Sequence, residues 1–221
     1  MSGYIAPPKG TARIAVIGAG GIGCAVLPRL ARMRIGGLDI IDGDRVEAHN
    51  LDRQPLYEGM DIGRSKATTA AGWMRQILVA GTVRAHDVFL DANNARELLQ
   101  GHDIVVEGVD DLHAKSLIDR VCGELGIPLI SGGAHRAQGQ VIALHVPGER
   151  AALSRKDLFN GKAGAEQDGC DMREVPLAVL EEIGRQLAQR VHDLLHGKPV
   201  PNGRIELFDG RSKSWDAVSL G

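Results

Sequence analysis

The chain has 221 residues, enough for one sizeable α/β domain or a domain with an appended arm. With 26 Lys and Arg against 28 Asp and Glu, a net charge of −2 and only 3% aromatics, it offers neither a basic field nor a base-stacking surface for nucleic acid. No apolar run approaches the ~20 residues of a membrane span and no signal peptide is visible, so a cytoplasmic setting is expected, and the three scattered cysteines (Cys24, Cys122, Cys170) read as free thiols.

Residues 1–11 read as an N-terminal arm in which Pro7-Pro8 opposes a helix. Ile14 to Ile17 is a β-branched apolar run, the pattern of a buried parallel strand. Gly18-Ala19-Gly20-Gly21-Ile22-Gly23 follows at once, and a helix is predicted from Cys24 to Arg34. In that strand–turn–helix context the glycines have distinct uses. Gly18 allows a tight turn, Gly20 lets backbone approach a phosphate, Gly23 lets helix pack on strand, and Gly21 belongs to the same cradle. Leu38 to Ile41 is the second strand. Asp42 at its end stands where a carboxylate accepts ribose hydroxyls. Asp44 is a second candidate there, or simply a turn residue. The alternative for the whole motif is a glycine-rich turn kept for packing.

A helix is predicted over Ser65 to Val79, a strand over Val83 to His86, a short helix over Asn94 to Gln100 and a buried strand over Ile104 to Val106. Asp110 and Asp111 precede an amphipathic helix from Leu112 to Leu125. Asp111 suits its N-cap, which leaves Asp110 to face the site. Strands are expected at Pro128 to Ser131 and Gln140 to Val146, with His135 and Arg136 beyond a strand end. Pro147 to Arg173 is polar and weakly periodic, too long for an ordinary connection. Pro176 to His196 is a helix. Arg204 to Phe208 and Trp215 to Val218, joined through Asp209-Gly210, form a closing antiparallel hairpin. The sum is one α/β domain, residues 1–221, Rossmann-like, with a mainly parallel sheet flanked by helices.

Arg53 and Lys66 put two cations between the acidic strand end and the next helix. Singly, either fits a solvated surface. Together with the cradle they suit phosphate chemistry and have no use in hydride transfer, which disfavours an NAD-dependent dehydrogenase.

These segments resemble the ThiF/MoeB/HesA family, the bacterial relatives of ubiquitin-activating enzymes. The resemblance rests on GAGGIG, IDGDRVEAHNLDRQ, DIGRSK, VVEGVDD, IPLISGG and GQV, and the tail GRIELFDGRSKSW looks most like the ThiF branch. It implies ATP-dependent adenylation of the C-terminal glycine of a small ubiquitin-like sulfur carrier with a Gly-Gly tail, with thiamine thiazole synthesis as the pathway. Molybdopterin, peptide-modification and ubiquitin-like conjugation couplings are alternatives, as is a non-catalytic binding role. By the match, Arg53 and Lys66 contact phosphates, Asp110 holds magnesium, Asp42 takes the ribose, and Asn50 and Gln54 line the site. Cys170, in the 147–173 crossover loop, would capture the activated carrier. A homodimer is implied. Two departures stand out. The family's paired CxxC zinc motifs are missing, so no structural zinc is expected. Its N-terminal helix, which carries an arginine into the partner's site, has no counterpart here.

Overall fold

In a computed structural model, residues 5–148, 153–159 and 174–218 are described. The apolar runs fold in the alternation their spacing demands. In chain order these are β1 (Arg13–Ile17), α1 (Gly21–Ala31), β2 (Gly37–Ile41), α2 (Lys66–Ile77), β3 (Thr82–His86), α3 (Ala95–Leu99), β4 (Ile104–Glu107) and α4 (Leu112–Leu125). There follow β5 (Leu129–His135), β6 (Gln138–Leu144), α5 (Arg155–Leu158), α6 (Leu177–Leu195), β7 (Ile205–Asp209) and β8 (Ser214–Val218).

The strands form one sheet in the order β3-β2-β1-β4-β5-β6-β7-β8. β1 to β5 pair in parallel, and β5 to β8 pair antiparallel, ending in the expected hairpin. Because β1 is buried on both faces, its side chains feed two cores. Ile14 and Val16 join the layer under α1, α2 and α6, while Ala15 and Ile17 join the layer under α3, α4 and α5. The chain winds outward from β1 in both directions, so the connections leaving the C-terminal ends of the paired strands β1 and β4 run opposite ways. That switch point is where open α/β sheets hold ligands.

α6 is amphipathic and buries Leu180, Ile183, Leu187 and Val191. It crosses α1 at close range because Gly184 faces Ala25, whose Cβ would lie 2.5 Å from any Cβ at 184.

Three expectations need correction. α1 starts at Gly21 rather than Cys24 and stops at Ala31, because the glycine turn supplies the first helical amides itself. β5 runs on to His135, and β6 keeps its predicted length but begins and ends two residues earlier, so the two meet in a tight turn at Arg136-Ala137, with Arg136 at φ 51. His135 is therefore a strand residue, and Arg136 ion-pairs with Glu174 at 3.3 Å. The stretch 147–173 is not all loop: residues 153–159 contain α5, capped by Ser154 and packed through Leu153, Leu158 and Phe159.

Candidate active site

The turn after β1 is built by the fold as much as by its glycines. Gly18 adopts φ +89 and donates its N–H to Ile41 O at 3.0 Å. A Cβ there would meet Val109 Cγ1 at 3.1 Å, so the turn rests on the segment leaving β4. A Cβ at Gly23 would stand 2.1 Å from Gly18 O, and one at Gly21 would stand 2.7 Å from Leu180 Cδ1. Gly20 differs: a Cβ would find only Gln54 Nε2, at 3.7 Å. Protein packing thus requires a small residue at 18, 21 and 23. At Gly20 the protein leaves room, and an approaching ligand is the remaining reason for glycine.

Asp42 clasps this turn. One carboxylate oxygen accepts Ala19 N–H at 2.6 Å and the other accepts Asp44 N–H at 2.7 Å. Burial pushes its carboxyl above the usual carboxylate range despite those two amides and nearby Lys66. Asp44 reaches Lys66 Nζ at 3.0 Å. The lysine is buried, whereas the Asp44 side chain is 54% exposed, so an incoming phosphate can compete for the ammonium.

The segment between β2 and α2 wraps back over the glycines. Asn50 is buried and its Oδ1 accepts from Arg53 Nη2 at 3.1 Å, while Arg53 Nη1 donates to His49 O at 2.9 Å. Both acceptors are neutral, and no described carboxylate ion-pairs with Arg53. Gln54 is buried, and its Oε1 has no hydrogen-bond partner among the described residues. Such an orphan acceptor is costly unless something satisfies it. A nucleotide hydroxyl or amino group can.

Asp110 sits on the exposed turn after β4 and makes no hydrogen bond with another described residue. Asp111 caps α4, accepting Ala114 N–H at 2.6 Å, as its place in the sequence suggests. A single exposed carboxylate such as Asp110 could contribute to a magnesium ion whose shell phosphates complete. Among the described residues no cluster of three or more His, Cys, Asp or Glu could hold a metal unaided. Cys170 lies outside the described residues. Burial pushes Cys24 up to about 12 and raises Cys122 further, so neither thiol is a nucleophile near neutral pH.

Sequence reasoning missed Tyr57. Its buried hydroxyl donates to Ala19 O at 2.7 Å and lies 3.3 Å from Lys66 O, which ties the glycine turn to the start of α2. The available signal was a lone tyrosine three residues past Gln54. It also missed a groove of about 550 Å³ along the outer face of α2, lined in part by Met60, Arg64, Thr68 and Trp73. None of the predicted nucleotide-site residues lines it.

The ThiF family profile matches residues 10–221. A protein named adenylyltransferase and sulfurtransferase MOCS3 from Caenorhabditis briggsae is 39% identical over 213 residues, which is 96% of this chain and 52% of that protein. A SAMP-activating enzyme E1 from Haloferax volcanii is 34% identical over 134 residues, 61% of this chain and 50% of that protein. The chain thus spans about half the length of these curated relatives. Among solved structures, E. coli MccB with ATP superposes with a TM-score of 0.79 at 20% identity, covering 96% of this chain and 64% of that one. PaaA superposes at 0.78 and 21%, covering 96% and 65%. At such identities the likeness speaks for the fold.

Proposed function

This chain belongs to the ThiF family, and from that premise we propose that it is an ATP-dependent adenylyltransferase. Its substrate is the C-terminal glycine carboxylate of a small ubiquitin-like sulfur carrier. The observation that carries this reading is a convergence at one turn. Beside an uncrowded Gly20 lies Gln54, whose Oε1 has no partner among the described residues, and the guanidinium of the adjacent Arg53 has no acidic partner among them. The relatives named adenylyltransferase and sulfurtransferase, and the solved structure of MccB with ATP, support the same direction.

In the reaction, a carrier carboxylate oxygen bonds to the α-phosphorus of ATP and pyrophosphate leaves, giving an acyl-adenylate. Two anions must meet, so this chain's task is to hold them and neutralise their charge. Gly20 and the first amides of α1 receive phosphate oxygens, helped by the helix dipole. Arg53 and Lys66 supply positive charge. Asp42 accepts ribose hydroxyls, with Asn50 and Gln54 beside it. Magnesium, when bound through Asp110, adds charge neutralisation on the leaving phosphates. No side chain need be a nucleophile, since the substrate carboxylate attacks. The tail motif points to thiamine thiazole synthesis as the pathway, with Cys170 capturing the carrier and the protein working as a homodimer. A sedimentation mass near that of one 23.6 kDa chain would argue against the dimer.

The test is ATP–pyrophosphate exchange. Exchange is expected only with a Gly-Gly-tailed carrier present. Arg53→Ala, Lys66→Ala and Asp110→Ala should each lower it at least ~100-fold, about 3 kcal/mol of transition-state stabilisation. Full exchange in all three variants would place the site elsewhere.

A further inference from the structure

Glu107 ends β4 and is fully buried. A carboxylate there must be paired. Lys115 Nζ of α4 lies 3.1 and 3.2 Å from its two oxygens and donates to Gly132 O at 2.8 Å. The Ser131 hydroxyl of β5 donates to Oε1. Arg155 Nη2 of α5 donates to the same oxygen at 3.3 Å and to Ser131 Oγ at 2.6 Å. Oε2 also accepts the Val109 N–H at 3.2 Å. Val109 lies between Gly108, which a Cβ would drive 2.7 Å from Ile22 Cγ2, and Asp110. The carboxylate that gathers the two cations therefore also shapes the turn presenting Asp110.

Arg155 is held from the other side as well. Asp119 of α4 accepts the Arg155 backbone N–H at 3.0 Å and meets His145 Nε2 at 2.7 Å. His145 in turn donates its own N–H to Leu153 O at 3.3 Å. Arg155 is thus bonded to two buried carboxylates, through its guanidinium to Glu107 and through its backbone N–H to Asp119. Seating α5 needs no such machinery. Leu153, Leu158 and Phe159 already pack it, and an apolar residue at 155 would cost less desolvation.

We propose that Arg155 is a positioning residue of the adenylation site: with Lys115 it fixes Glu107, and through the Glu107–Val109 hydrogen bond it sets the turn that carries Asp110. This rests on the reading in which Asp110 serves magnesium. Two measurements on Arg155→Met and Arg155→Lys test it. The methionine keeps the stem's bulk and leaves Glu107 paired with Lys115. Arg155→Gln stands in, with the same expectations, should Arg155→Met not fold.

Hydrogen–deuterium exchange needs no catalysis. The hydrogen-bonded amides of residues 108–111, those of Gly108 and Val109, should exchange at least ~10-fold faster in Arg155→Met, with β1 and α1 unchanged. In pyrophosphate exchange, the magnesium concentration for half-maximal rate should rise ~10-fold or more, with the rate at saturating magnesium within a few-fold of wild type and Arg155→Lys recovering most of the loss. If the wild-type protein shows no pyrophosphate exchange with any carrier, the adenylation reading fails while the amide measurement still judges Arg155. Wild-type amide rates at Gly108 and Val109, or an unchanged magnesium requirement in an active enzyme, would overturn the proposal.

Discussion

Gly23→Ala sets two effects against each other. Alanine inside a helix gains about 0.5–1 kcal/mol over glycine. Its methyl, however, would lie 2.1 Å from Gly18 O and 2.9 Å from Gly18 C, and these are backbone atoms that no rotamer change can move aside. The Gly18 carbonyl must retreat by at least about 1 Å to reach normal contact. Overpacking of this kind costs about 1–3 kcal/mol, and a backbone neighbour puts it in the upper half of that range. The net is a loss of about 1–2 kcal/mol, a fall in Tm of about 2–8 °C at this chain length. Activity should suffer more than stability, because the same displacement moves the phosphate cradle, and a misplacement of about 1 Å costs on the order of 100-fold. Calorimetric melting and ATP–pyrophosphate exchange measure the two effects. Gly72→Ala in α2 is the control. A Cβ there meets open space, so the propensity gain stands alone and Tm should rise by about 1–4 °C with activity intact. A Gly23→Ala protein that melts like wild type and keeps more than about a tenth of the exchange rate would refute this reasoning.

Cys170→Ser should leave pyrophosphate exchange near wild type while abolishing any covalent carrier adduct seen by mass spectrometry, since a capturing thiol neutralises no phosphate charge. An adduct that persists in the variant would remove Cys170 from the mechanism. Asp39 should give stability a measurable pH dependence. It is buried, with His86 Nε2 at 3.2 Å, His102 Nε2 at 3.4 Å and Arg13 Nη2 at 3.7 Å from its Oδ2. Burial alone would raise its pKa, but the pull of His102 and His86 outweighs burial and holds it below the ordinary carboxylate value. A depressed folded-state pKa contributes stability above the unfolded value, near about 3.9, and that stability is lost as pH falls through the folded value. Asp39→Asn should therefore be less stable than wild type at pH 6, and the gap should narrow below about pH 4. A gap independent of pH in urea titrations would contradict the assignment.

The gathering of the candidate residues was legible because the pieces are local. The glycine turn, Asp42, the Asn50–Gln54 run and Lys66 lie on consecutive elements, so a single winding rule brings them together. Asp111 was readable as a cap because its register before α4 is fixed by three residues. What escaped was long-range. Nothing near Arg155 signals that its guanidinium runs to Glu107, since burial of a charge depends on which distant carboxylate waits for it. Tyr57 was invisible for the same reason, its hydroxyl partner lying on another turn of chain. The β5–β6 hairpin was misjudged because Arg136, a non-glycine residue at positive φ, carries none of the usual turn chemistry.

The close passage of Gly184 over Ala25 bears on the order in which the molecule is made. α1, with the glycine turn at its head, leaves the ribosome well before α6, which roofs one side of it. Leu180 completes the wall against which Gly21 is fitted. Until α6 arrives, α1 exposes apolar surface and Gly21 lacks the Leu180 wall, even though Asp42 and Tyr57 already clasp the turn. Under the proposed function, nucleotide competence waits for α6. A translation product arrested after β6 would carry every proposed nucleotide-site residue and still lack the roof over α1.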